Sequence, residues 1–214
     1  MTHPYHLAKG RPGSNRGGPS AFRRRYDGRG PYSSEVEMST TGTARPIIRY
    51  GTPVLHRPCR PVDTFDDDLA ALIDDMFASM YAADGVGLAA NQIGVDLRVF
   101  VFDCPDETDT NQVGHIVNPT LVLPDLPREL DDDSEGCLSV PGQHADLARP
   151  AYAGVVGVDR TGEPVSYDGS GMLARCFQHE TDHLDGLVYV DRLPRRTRKK
   201  VLKAAGLPTE APVR

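Results

Sequence analysis

His179 and His183 stand four residues apart, and Glu180 follows the first directly, within Gln178-His179-Glu180-Thr181-Asp182-His183. On an α-helix that step stacks both imidazoles on one face, about one turn apart. Two ring nitrogens can then reach one metal ion at roughly 2.0–2.1 Å each. The spacing is that of metal-assisted hydrolysis, with the glutamate as general base. Glu180 projects from a neighbouring strip of the helix and can face a water on the ion without being a ligand. Catalytic sites of this kind use three protein ligands and keep one position open for water, whose pKa the cation lowers towards neutrality. The third ligand could be His, Asp, Glu or Cys. Cys137, between Gly136 and Leu138 in a tight glycine-bearing segment, is the best placed, and a cation would hold it as thiolate. From spacing alone, a lone cysteine is more simply a small buried apolar side chain. The bland reading of the histidine pair is a surface helix.

The flanks supply the helix that the motif needs. Asp168-Gly169-Ser170-Gly171 offers a turn and a cap, Met172 to Phe177 leads into the motif, and Gly186 stands where a helix stops. Asp66 to Ala83 reads as a second, core-packing helix. Leu69, Leu72, Ile73, Met76, Phe77 and Met80 keep a 3–4 spacing, and Asp66, Asp67 and Asp68 suit its N-terminal dipole. Small residues in Asp84 to Gly94 suggest close backbone approach; a lone G-x-G there is weak evidence for phosphate binding. Arg98–Phe102 and His115–Asn118 are strands, with a polar loop from Pro105 to Gln112 between them. Leu121–Leu123 and Arg128–Leu130 are further strand candidates. Ala153–Asp159 and Pro164–Tyr167 form a hairpin turned at Arg160–Glu163. Strands come first and the motif helix late, so the class is α+β, with short mixed or antiparallel sheets packed around that helix.

The chain has 214 residues, 39% hydrophobic and 25% charged, long enough to bury a sizeable core. No run of 18 apolar residues exists, so no membrane span is expected. Four scattered cysteines (Cys59, Cys104, Cys137, Cys176) favour free thiols or ligands over a disulfide frame. A net charge of −6 gives no reason to expect general nucleic-acid binding, but the charge is uneven: residues 1–37 carry +4. Residues 1–43, rich in Gly, Pro, Ser and Arg, read as a disordered basic extension, and 44–214 as the catalytic domain. Met38, just before the first folded-looking stretch, is a candidate initiator. Nothing resembles a secretory leader, and a cytoplasmic location is expected.

Gly85-Val86-Gly87-Leu88-Ala89-Ala90-Asn91-Gln92, Glu135-Gly136-Cys137-Leu138-Ser139 and Gln178 to His183 together resemble the three signature motifs of peptide deformylases, in the family's order and at similar separations. The general layout fits from about Arg45 to Lys203. The resemblance implies removal of the formyl group from N-formylmethionine on new polypeptides, releasing formate. It implies that Cys137, His179 and His183 bind the metal and that Glu180 moves the proton. It also implies that the Gln92 amide, the Leu138 N–H and the cation receive the oxyanion. The Gly87 backbone would crowd the site against longer acyl groups. Val86, Gly87, Glu135, Gly136, Leu138, Met172 and Cys176 are the expected substrate contacts or pocket walls, and plain core packing is compatible with several of them. Glu135 is also expected to accept from a ligand histidine, with Asp182 a weaker candidate.

Two positions depart from the commoner pattern: His144 stands where an arginine is frequent, and Arg175 where an aliphatic residue is. Two histidines and a cysteine suit zinc, whereas the family resemblance implies Fe²⁺, with Zn²⁺, Ni²⁺ or Co²⁺ able to substitute. The basic stretch Arg195 to Lys203 reads first as a solvated face; by the resemblance it implies ribosome contact. A zinc endopeptidase is the competing enzyme, though it would normally seek a third His or a downstream Glu. A closed structural metal site would need four protein ligands.

Overall fold

A computed structural model describes residues 42–210. The disordered extension and the Met38 start expected above lie outside the described residues, except at Gly42 and Thr43. There the Thr43 N–H donates to Asp75 Oδ1 at 2.6 Å.

Helix α1 (Asp67–Ala82) is capped by the Asp66 side chain, which accepts from the Leu69 N–H at 3.0 Å, and Asp67 and Asp68 occupy its positive end. Strands β1 (Gly87–Ala89), β2 (Val99–Pro105), β3 (Asn111–Val122), β6 (Tyr152–Val158) and β7 (Pro164–Ser170) form an antiparallel sheet in the order β1-β2-β3-β6-β7. Strand β2 explains the layering. Its sequence Val-Phe-Val-Phe shows no polar alternation because both faces are buried. Val99 and Val101 meet Leu72, Ile73, Met76 and Met80 of α1, while Phe100, Phe102 and Cys104 meet the opposite helix. That helix is α2 (Gly171–Leu184), whose Phe177 packs edge-on against Phe102 at 5.2 Å.

Strands β4 (Leu130–Cys137) and β5 (Val140–Pro150) pair only with each other. With α3 (Tyr189–Arg192) and α4 (Arg195–Ala204) they help to close a third cluster around Tyr50, Val140, Tyr189 and Leu202. The class is therefore α+β, and all pairing within both sheets is antiparallel. Among the described residues, no helix is long and apolar enough to cross a membrane.

Several local expectations change. The loop expected from Pro105 to Gln112 is shorter, because β2 runs through Pro105 and β3 restarts at Asn111. The hairpin β4–β5 and the short α3 were not anticipated. Ser170 does not cap α2; its hydroxyl donates to Glu107 at 2.6 Å.

Candidate metal centre

The far end of α2 fixes the histidines. Gly186, at φ +79°, lets the chain leave the helix in a left-handed turn. The Leu187 N–H then returns to the Asp182 carbonyl at 2.8 Å, and the Gly186 N–H to the His183 carbonyl at 3.1 Å. The remaining end carbonyls are also taken. The Asp185 N–H takes that of Thr181 at 3.0 Å and the Cys59 N–H that of Leu184 at 2.8 Å, and Asn91 Nδ2 adds a second hydrogen bond to that of His183 at 2.6 Å. The motif therefore sits on a turn that cannot fray without losing buried hydrogen bonds.

On that turn the rings of His179 and His183 lie 4.9 Å apart between centroids. Cys137, at the end of β4, brings its sulfur to 3.2 Å from His183 Nε2. One ligand atom from each of Cys137, His179 and His183 lies within 4.8 Å of the others. Ligand atoms around one tetrahedral ion stand roughly 3–4 Å apart, and a thiolate with two imidazoles is a donor set for such an ion, so the three residues fit a metal. Their order in the chain hides this, since Cys137 lies 46 residues from His183.

Glu135 determines which nitrogen His179 presents. Its Oε1 meets His179 Nδ1 at 2.6 Å, so the ring keeps its proton there and turns Nε2 towards the cluster. Glu135 is buried, and both its oxygens are occupied. Arg149 donates through Nε at 2.8 Å and Nη2 at 2.6 Å, and Arg175 through Nη1 at 3.1 Å. Burial alone would raise the Glu135 pKa, but the Arg149 and His179 hydrogen bonds outweigh it and keep the carboxylate ionised well below its usual range. Glu135 thus stands behind His179, and its carboxylate is not offered to a substrate as the sequence reading had it. Glu135 accepts from a ligand histidine as expected, whereas Asp182, the weaker candidate, accepts from Arg149 at 2.8 Å and from Arg192.

The two histidines titrate in opposite directions. Burial disfavours charge on His179, yet its hydrogen bonds to Cys137 and Glu135 prevail and raise its pKa well above the ordinary value. Burial and the neighbouring His179 push His183 well below it. The pocket therefore favours one positive charge beside the sulfur, which a proton or a cation can supply. Glu180 is pushed up to about 7, chiefly by burial, and its Oε2 has no protein partner.

The first motif closes the site from the other side. The Gln92 carbonyl oxygen accepts from the Ala89 N–H at 2.9 Å, which turns its amide nitrogen to Ser139 Oγ at 3.4 Å, with the Cys137 sulfur 3.6 Å away. A Cβ on Gly87 would fall 2.5 Å from Glu180 Oε1 and 2.7 Å from Cys176 Sγ, so this strand can lie against the helix only as glycine. Leu138 follows Cys137 directly, and its side chain packs towards Gly85. Val86 and Met172 are about half exposed, while Cys176 is buried with its sulfur 3.8 Å from the Val86 carbonyl. The structure thus gathers Val86, Gly87 and Cys176 beside Glu180.

His144 pairs with Gly136 across the hairpin, its ring lying where a Gly136 Cβ would be. Arg175 folds onto Glu135, the Leu147 carbonyl and Asp131. Sequence reasoning missed Arg149, which joins Glu135 to Asp182, and Tyr189, whose ring stacks near His179 at 6.4 Å. Neither has a local spacing signal, because their partners lie on other elements.

Comparison with known proteins gives the family and the fold. The sequence profile of the family described as polypeptide deformylase matches residues 44–199. Peptide deformylase 1 of Streptomyces avermitilis is 57% identical over 170 residues, covering 79% of each chain. A peptide deformylase of Mycolicibacterium paratuberculosis is 49% identical over 169 residues, covering 74% of this chain and 86% of that one. Among solved structures, the Synechococcus elongatus peptide deformylase in complex with actinonin superposes with a TM-score of 0.70 at 35% identity, covering 81% of this chain and 93% of that one. The Legionella pneumophila peptide deformylase gives 0.69 at 40% identity, covering 77% and 94%.

Proposed function

The chain belongs to the polypeptide deformylase family, and from that premise we propose that Cys137, His179 and His183 hold its metal and that Glu180 carries the proton. The reaction is hydrolysis of the formyl amide of N-formylmethionine on new polypeptides, giving formate and a free amino terminus. A bound cation would lower the pKa of water in the site and polarise the formyl oxygen. Glu180, pushed up to about 7 and with one oxygen lacking a protein partner, takes a proton from the attacking water and passes it to the leaving amine. Oxyanion donors must be fixed in advance, and deleting one elsewhere costs about 3–4 kcal/mol. Gln92 Nε2 meets that requirement because the Ala89 N–H immobilises the other end of its amide. The Leu138 N–H is the second donor.

Val86, Gly87, Gly136, Met172 and Cys176 form the substrate contacts. The half-exposed Val86 and Met172 present apolar surface for a methionine side chain. The Gly87 backbone, which lies close against Glu180 and Cys176, is our candidate for the wall that excludes a longer acyl group. The observation that carries this reading is the meeting of Cys137 Sγ with His183 Nε2 at 3.2 Å. We assign Fe²⁺ as the native ion, with Zn²⁺, Ni²⁺ or Co²⁺ as substitutes. The test is metal analysis of anaerobically purified protein beside formate release from a formyl-Met peptide. One iron per chain with activity lost in air is expected; equal, stable activity with zinc overturns iron, and full activity without metal overturns the site.

We propose a cytoplasmic location and contact with the ribosome through the basic C-terminal helix. Helix α4 exposes Arg195, Arg196, Lys199, Lys200 and Lys203, while Arg198 is occupied by Asp191 at 3.0 Å. Binding of ribosomes through this face should weaken steeply between low and physiological salt. Salt-independent binding, or none, removes the idea.

A further inference from the structure

The metal ligands come from two bodies of structure that share no backbone ladder. Cys137 ends a strand that pairs only within the hairpin β4–β5, whereas the histidines ride on α2, packed against the five-stranded sheet. Something other than sheet pairing must set the distance between sulfur and imidazoles.

Arg175 lies one turn before His179 on the same face of α2. Its side chain is 6% exposed, and its guanidinium spans both strands of the hairpin. Nη1 donates to Glu135 Oε2 at 3.1 Å and to the Leu147 carbonyl at 2.7 Å. Nη2 donates to the Asp131 carbonyl at 2.9 Å, with the Asp131 carboxylate at 3.3 Å. A planar fork of five donors can reach such dispersed acceptors; an ammonium, a point donor, cannot. Glu135 is thereby held at Oε2 from α2, while its Oε1 orients His179. The hairpin is also tied to the helix by Arg149 to Asp182, by Glu135 to His179, and by Gln178 Nε2, which donates to the Pro150 carbonyl at 2.9 Å.

We propose that Arg175 is a positioning residue for the metal centre: it latches the hairpin that bears Cys137 to the helix that bears both histidines, and so sets how tightly the three ligands close on a cation. This rests on reading Cys137, His179 and His183 as the ligands. An aliphatic side chain at 175 would pack on the hairpin but hold neither its carbonyls nor Glu135.

The test is titration of metal-free protein with Co²⁺, followed by thiolate-to-cobalt absorption, beside urea unfolding of the metal-free chains. Groups that support metal ligands from behind typically change affinity 10–100-fold. We expect Arg175→Leu to bind Co²⁺ about 10-fold more weakly, and Arg175→Lys to lie between it and wild type. Wild-type affinity in a destabilised Arg175→Leu protein would overturn the latch and leave a merely structural residue. Absence of the thiolate band in wild type would instead overturn the ligand assignment. Should Arg175→Leu fail to fold, Asp131→Ala serves. It removes one anchor of the guanidinium and should weaken Co²⁺ binding in the same direction; unchanged affinity there overturns the proposal.

Discussion

Glu180 shows how far one side chain's surroundings define its chemistry. Its burial lifts the pKa to about 7, where a carboxyl can both take and return a proton near neutral pH. Glu180→Gln keeps the shape and removes that capacity. Single-turnover formate release should fall by about 10²–10⁴-fold with metal content unchanged, and equal rates would end its proton-carrying role. A second buried group predicts a pH dependence of stability. His115 is pushed down to about 4, first by burial and then by Arg160, against the opposing pull of Asp159 and Asp74. A neutral ring in the fold and an ordinary one in the unfolded chain mean that the unfolded state binds the extra proton between about pH 6.5 and 4. The contribution is fully present above pH 6.5 and is lost as pH falls towards 4. Urea unfolding across that window should show His115→Gln losing about 2–3 kcal/mol less than wild type; parallel profiles would refute it. At this scale the sequence was informative where chemistry imposes spacing, as at His179, Glu180 and His183. It was silent on Arg149, whose partners Glu135 and Asp182 lie 14 and 33 positions away.

Helix α2 positions the chemistry because its last turn is closed at every carbonyl, and Gly186 makes that closure possible. Its φ of +79° and the Arg57 backbone, 2.6 Å from where a Cβ would stand, leave no room for alanine. Gly186→Ala should cost about 2–3 kcal/mol, read as a lowered urea midpoint, and should weaken metal binding as well because His183 lies three residues upstream. An unchanged midpoint would show that the turn relaxes freely. Helices α1 and α2 were legible because their apolar spacing and end signals agree. The hairpin β4–β5 was not. Its strands bury few of their residues, and β4 carries Asp131, Asp132 and Asp133, types depleted in strands. It forms because each strand completes the other's ladder, which is a relation between segments that neither segment displays.

Across the whole molecule, a metal held as proposed by Cys137, His179 and His183 would join parts that the backbone leaves separate. A ligand that binds only the folded chain stabilises it by about 2.7 kcal/mol at 100 times its dissociation constant. Chelation should therefore lower the urea midpoint of wild type and leave Cys137→Ala nearly unmoved; equal losses in both would mean that the ion binds elsewhere. A chain beginning at Met38 should keep the stability and deformylase activity of the full one, since the family match begins at residue 44, and loss of either would show that the basic extension contributes. The strand order β1-β2-β3-β6-β7, with β4 and β5 set apart, was not readable in the sequence, because the excursion between β3 and β6 has the same chain signals as an ordinary connection.

The bare backbone of Gly87 beneath Glu180 also bears on how the enzyme could evolve under an inhibitor. A compound that rests on this strand presses where mutation has little freedom, since an added Cβ at Gly87 would fall 2.5 Å from Glu180 Oε1 and 2.7 Å from Cys176 Sγ. Resistant clones selected with such a compound should carry changes in Val86, Met172 or expression level, and a vigorous clone altered at Gly87 would show that the helix yields.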